Sequence, residues 1–563
     1  MSVNTLNVVL MWHMHQPFYQ DAVNHEYRLP WVYLHAIKDY SDMAWHLEAA
    51  PRAHAVINFA PILLEQIDDY VQQLESYFLE NKALRDPLLN SLVLKSFPRD
   101  PQVRSKLVKS CLCAHEVRLV MRYTPFAQLV EIARQVLKDG PTASLYLDDQ
   151  FIADMLVWFH IAWLGESVKS NNKTIAGLIK KERNYSAEDR HQLLCVINDI
   201  MQSIIPRYRA LAERDQIELS MSPYAHPILP LLLDIESAHE AMPEVPLPAN
   251  TVYPDGLSRC RWQIEEGRRV FKHYFHTEPA GCWPSEGSIS EATVALLQES
   301  GFRWLASGEN VLRNSLQKIN NNPDEAHIHQ TFKLNAEEPA CFFRDDGLSD
   351  QIGFTYADWH ADDAVANMVH HLENIAEACK DQGDAIVSII LDGENAWEHY
   401  PENGVHFLKA LYEVLTNNEQ INLTTYSRFL DKHKGFHTLP NIVAGSWVYG
   451  TFSTWIGEAD KNRGWEELLA AKRVYDQHWQ SQPAAQHAAL ARQLAICEGS
   501  DWFWWFGDYN GEDSVRDFDE LYREQLTALY HMLNQPVPES LSRVISRGKG
   551  APEVGGAMRR GSK

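Results

Sequence analysis

Two hydrophobic patterns alternate along the chain. Short apolar runs, rich in β-branched residues, end in polar loops: Leu6 to Met14, His54 to Ala60, Ile217 to Pro223, Phe302 to Ala306, Ala340 to Phe343 and Ala385 to Leu391. Between them lie longer segments in which apolar residues recur at helical spacing, such as Leu63, Leu64, Ile67 and Tyr70, or Ile152, Met155, Leu156 and Phe159. Runs of the first kind predict strands, the second kind amphipathic helices. Pro30 suits the start of a helix over Leu29 to Tyr40, and Gly301 ends the helix over Glu291 to Glu299.

Strands alternating with helices define βαβ units and a parallel sheet. About seven strands are expected, each with its chemically interesting residues at the C-terminal end, as in a barrel whose site lies on that face. The nearly all-aliphatic run before Asp392 suits a central strand buried on both faces. The domain reading is a barrel over residues 1–410 with a helical insertion at about 61–215. A helical domain over 411–537 follows, and then a disordered basic tail over 538–563.

Composition narrows the function. The chain has 563 residues and a formal net charge of −24, which opposes binding to nucleic acid or anionic membrane. The eight cysteines include no CxxC pair, so a disulfide framework is not expected. The N-terminus lacks a basic and apolar leader, and no run approaches a membrane span. The expected location is the cytoplasm. The 17 Trp and 25 His exceed what a core needs.

Two carboxylates end apolar runs beside indoles. Glu286 lies in Trp283-Pro284-Ser285-Glu286-Gly287, and Asp392 in Asp392-Gly393-Glu394-Asn395-Ala396-Trp397. A carboxylate so placed is costly to bury unless it is paired or used. Two of them fit a pair of carboxyl groups acting across a glycosidic bond. Glu286 could instead cap a helix. Asp392 and Glu394, if the strand persists, face one side and push each other's pKa apart, or else help hold a metal.

Other candidates surround this pair. His13 and His15 alternate on a strand, so both imidazoles face one side, for sugar hydroxyls, a metal or each other. Glu218, with His226 in the following loop, is either a substrate contact or the partner of a barrel cation. Trp283, Trp397, Trp447 and Trp502 offer faces on which sugars stack, or else pack in the core.

These residues fall into ordered motifs: His15-Gln16-Pro17; Glu218 with Tyr224-Ala225-His226-Pro227; Trp283 to Glu286; Asp392 to Glu394; and Ser500 to Trp505. The set resembles glycoside hydrolase family 57, above all its amylopullulanase and α-amylase-like members, over most of positions 6 to 530. The resemblance implies an α/β fold, an incomplete (β/α)7 barrel with a helical domain closing the cleft. It implies retaining cleavage of α-glucans, with no metal or other cofactor required. Glu286 matches the nucleophile and Asp392 the acid/base. His13, His15, Glu218, Trp283 and Asp501 match positions lining the substrate. Ser307-Gly308-Glu309 departs from the Thr-Asp-Glu-like turn of the family. Branching or 4-α-glucanotransferase activity, a metal-dependent hydrolase using His13, His15 and Asp392, and a non-catalytic glucan-binding protein remain open alternatives.

Overall fold

The computed structural model describes residues 5–319, 328–382 and 384–550. Its core is one sheet of ten strands: β1 (Leu6–Met14), β2 (Ala55–Phe59), β3 (Ile217–Met221), β4 (Gly281–Cys282), β5 (Trp304–Ser307), β6 (Phe332–Lys333), β7 (Ala340–Phe343), β8 (Ile386–Asp392), β9 (Ile421–Leu423) and β10 (His437–Thr438). The order β7-β5-β4-β3-β2-β1-β8 is parallel throughout. One bridge, Arg344 to Ser388, joins its two ends. Seven strands therefore curl into a barrel that is closed only at this seam.

Period-two alternation decides what faces inward. On β1, Val9, Met11 and His13 point into the barrel, whereas Val8, Leu10 and Trp12 pack on the surrounding helices. On β8, Ile386 and Ile390 point inward, and the same phase puts Asp392 at the inner C-terminal rim. His13 and Asp392 are register partners. Tyr426 and Phe429 plug the other end against Trp304 and Phe342.

The stretch between β2 and β3 is helical, from Pro61–Glu80 to Ala187–Glu213. Helices Ala459–His478, His487–Cys497, Asp501–Trp505 and Glu512–Met532 form the C-terminal part. Two expected boundaries shift. The sheet does not end at 410, because β9 pairs with β1 and β10 with β6. These pieces are too short for an apolar run to reveal them. The tail does not begin at 538 either: Leu541, Ile545 and Ser546 are buried, and the Gly550 amide donates to the Asn510 carbonyl. Residues 551–563 of that expectation lie outside the described part. Among the described residues no helix is long and apolar enough to cross a membrane.

Candidate active site

Glu286 follows β4 in a tight turn. Its own φ is +59° and that of Gly287 is +58°. A left-handed glutamate costs on the order of 1–2 kcal/mol, and such strain gathers at functional sites where the surroundings impose it. Here they do. Gly287 N donates to the Pro284 carbonyl, and the Ser307 hydroxyl holds the Gly287 carbonyl at 2.6 Å. A Cβ at Gly287 would lie 2.8 Å from the Trp283 ring.

A second loop runs along this turn. Ile289 and Gly445 exchange backbone hydrogen bonds, and Trp447 N donates to the Glu286 carbonyl at 3.0 Å. That alignment aims the Trp447 indole N–H at Glu286 Oε2, 2.9 Å away. The departure at Ser307-Gly308-Glu309 now has a physical reason. A Cβ on Gly308 would come within 2.5 Å of Trp447 Cα, so any larger residue displaces the indole.

Asp392 ends β8, with Asn395 Nδ2 donating to its Oδ2 at 2.9 Å. Burial raises its proton affinity, which Asn395, His15 and Arg344 counteract. Glu286 is pushed up to about 8, first by burial, then by the charges of Asp392 and Asp501, against the Trp447 donor. The two carboxyls thus form one coupled pair that keeps a proton near neutral pH.

Three imidazoles adjoin the carboxyls: His13 is the register partner of Asp392, and His226 Nδ1 lies 3.8 Å from Glu286 Oε1. His13 Nδ1 donates to Asn58 Oδ1 at 2.7 Å, and Ser222 donates to the same oxygen. Burial holds His13 neutral, with its pKa down to about 3, so Nε2 is a lone-pair acceptor that no protein group meets. His226, at φ +58°, stacks on His15 with ring centres 3.8 Å apart, and its Nε2 is likewise unmatched. A neutral acceptor at His13 and a neutral imidazole with an unmatched nitrogen at His226 suit the hydroxyls of an uncharged ligand.

The helical part covers these imidazoles. His15 Nε2 meets Asp501 at 3.0 Å, the His226 ring meets the Ser500 hydroxyl at 2.9 Å, and Ser500 N donates to the His226 carbonyl. Only 15% of the Glu286 side chain and 16% of that of Asp501 remain exposed.

Among the described residues, the group close enough to share one cation is His15, His226 and Asp501, not the expected His13, His15 and Asp392. The stacked rings of His15 and His226 lie nearly parallel, 21° apart, so their in-plane lone pairs run side by side rather than converging.

Several expected wall residues lie elsewhere. Glu218 is near the N-terminal end of β3, where it accepts from Trp304 Nε1 at 2.6 Å and from Ser427. It ties the barrel bottom together, and its partners are not the cation expected as the alternative. Trp397 is 1% exposed, donates to the Gly393 carbonyl and packs edge-on to Trp12. Trp502 is buried against Phe518 and Tyr522 and donates to the Ile496 carbonyl. Both indoles are core.

Glu394 is not on the inner face with Asp392, because β8 stops at Asp392 and the chain turns under β1. There its Oε1 accepts from Gln16 and from the His15 amide. Trp283 is fully buried, edge-on to Trp447, and forms the floor beneath the carboxyls.

Asn58 and Arg344 are not among the residues the sequence points to, and Ser500 enters there only as the first residue of the Ser500 to Trp505 motif. Asn58 carried a signal, as a wholly buried amide within an apolar strand. The other two are ordinary in sequence and acquire roles only through long-range contacts.

The curled parallel barrel thus carries at its C-terminal rim two buried carboxyls with neutral imidazoles beside them, a combination compatible with work on glycosidic bonds. The profile of glycosyl hydrolase family 57 matches residues 9–440, and the chain belongs to that family, whose members act on glycosidic bonds. Among solved structures, the GH57-type branching enzyme of Pyrococcus horikoshii superposes with a TM-score of 0.57 at 15% identity, over 98% of this chain and 99% of that one. The α-amylase AmyC of Thermotoga maritima gives 0.54 at 13%, over 94% and 97%. The 4-α-glucanotransferase of Thermococcus litoralis gives 0.51 at 13%, over 94% and 60%. These likenesses establish the fold. No curated protein sequence matches the chain.

Proposed function

We propose that this protein cleaves α-glucosidic bonds in α-glucans such as starch, glycogen or maltodextrin, with retention of configuration. The observation that carries the reading is the pair of Glu286, aimed by Trp447, and Asp392, with the neutral imidazoles of His13 and His226 beside them. Glu286 attacks the anomeric carbon to form a β-glycosyl-enzyme. Asp392 protonates the departing oxygen and then deprotonates the incoming hydroxyl. Because the pair shares a proton that Glu286 also holds strongly, the reactive arrangement is the one with the proton on Asp392.

The primary reading is hydrolysis. A second reading, transfer to another glucan, is favoured by one observation: the Glu286 side chain is only 15% exposed, which disfavours water in the second step. Incubation with a single maltooligosaccharide separates the two. Hydrolysis raises the reducing-end count, whereas transfer spreads chain lengths at constant count. Loss of both in Glu286→Gln is expected; a Glu286→Gln enzyme as active as the parent overturns the assignment.

A further inference from the structure

The groups that set the pair's geometry converge on Arg344, the first residue after β7. Its guanidinium is buried and reaches three structures at once. Nε donates to the Ile390 carbonyl at 2.8 Å, two residues before Asp392 on β8. Nη1 and Nη2 donate to Asp346 at 2.6 Å and Asp350 at 2.7 Å. The guanidinium carbon lies 5.5 Å from the centre of the Trp447 ring, a cation–π contact. Its backbone closes the barrel seam, pairing with Ser388 and donating to the Ser307 carbonyl at 2.9 Å. Ser307 in turn holds the Glu286 turn through Gly287.

We propose that Arg344 is a positioning residue that fixes the spacing and mutual orientation of Glu286 and Asp392, by clamping the Trp447 indole to the end of β8. This rests on the reading of those two carboxyls as the reacting pair. The planar fork suits the task because one rigid group satisfies a carbonyl and two carboxylates while presenting a flat face to the indole. A lysine keeps the charge but has neither the fork nor the face. Arg344 touches no reacting atom, so its effect belongs in the chemical step rather than in substrate affinity.

The charge has a separate consequence. Asp392 is faced by Glu286 from the β4 turn, His15 from the end of β1, Glu394 from its own loop and Arg344 from β7. Arg344 is the fixed cation in that set, and it eases ionisation of Asp392. Removing the charge strengthens proton binding there.

The test uses the full-length protein with a maltooligosaccharide substrate, comparing the parent with Arg344→Lys, Arg344→Met, Trp447→Phe and the double variant Arg344→Lys/Trp447→Phe. Near-ultraviolet circular dichroism establishes that each is folded. Arg344→Lys is expected to lose about 10- to 100-fold in kcat with KM within about 3-fold, since small misplacement of reacting groups costs that much. Its pH limbs move less than those of Arg344→Met, which shift to higher pH, because the charge at position 344 is kept. The double variant loses no more than about 2-fold beyond Trp447→Phe alone, because the arginine acts through the indole.

The proposal is overturned if Arg344→Lys keeps kcat within about 2-fold of the parent, or if the two losses multiply in the double variant. Should Arg344→Met not fold, the lysine variant and the double-variant comparison decide the matter. Failure of the underlying reading shows separately, as a Glu286→Gln enzyme that retains activity whatever stands at position 344.

Discussion

Trp447 is bonded to Glu286 twice. Its indole N–H donates to the carboxylate at 2.9 Å, and its backbone N–H donates to the Glu286 carbonyl at 3.0 Å. The donor and the strained turn it serves are thus one unit, and a change at either is felt at the other.

Loss of the donor has a defined sign. The indole N–H stabilises the Glu286 carboxylate, so Trp447→Phe raises that group's proton affinity beyond its already elevated value of about 8. The alkaline limb of kcat/KM, expected near pH 8 where the pair loses its last proton, moves to higher pH. Activity at pH 7 falls by about 10-fold or more, because the ionised nucleophile becomes rarer. A kcat/KM profile between pH 5 and 10 checks both.

Asp501 acts in the opposite direction. Its charge helps raise Glu286, so Asp501→Asn lowers the alkaline limb instead of raising it. The His15 contact at 3.0 Å weakens at the same time, so KM rises. Opposite limb shifts in Trp447→Phe and Asp501→Asn, measured side by side, are the outcome to look for. A common direction contradicts the account of Glu286 given above.

Stability carries the same signature. The folded-state pKa of Glu286 is raised from 4.5 to about 8, so between those values the folded protein binds more protons there than the unfolded chain. Stability from this group is present below pH 4.5 and is lost as pH rises through 8. Glu286→Gln removes that loss. Its unfolding free energy matches the parent's near pH 4.5 and exceeds it at pH 9, by up to about 5 kcal/mol. Thermal melts across that range test this independently of activity.

The core assignment of Trp397 is tested by a split between folding and function. Trp397→Ala leaves a cavity against Trp12 and costs about 3–5 kcal/mol of stability. The folded fraction keeps a KM within about 3-fold, because no ligand contact is lost. A large rise in KM at unchanged stability points instead to a wall of the cleft.

The barrel's main strands were legible because β1 and β8 are long apolar runs ending in polar residues, and β3 alternates apolar with polar positions before a polar loop. Glu286 and Asp392 stand out for a related reason, since a charge ending an apolar run is costly to bury unless it is paired or used. β9 and β10 were not, being two- or three-residue pieces whose pairing is set by distant partners. Indoles were the weakest evidence. Trp397 and Trp502 lie in loop-like sequence, yet each finds a buried carbonyl for its N–H, and no local pattern reports which way a ring turns. Glu218 shows that sharing a strand with site residues is not enough. It is second in β3, and only the far end of that strand reaches the face that holds Glu286 and Asp392.

The bond between His15 and Asp501 joins residues 486 positions apart. An emerging chain acquires Glu286 and Asp392 long before it acquires the wall that closes over them. Ser500 and Asp501, which cover His226 and His15, are therefore the last of these residues to be synthesised, more than a hundred positions after Asp392.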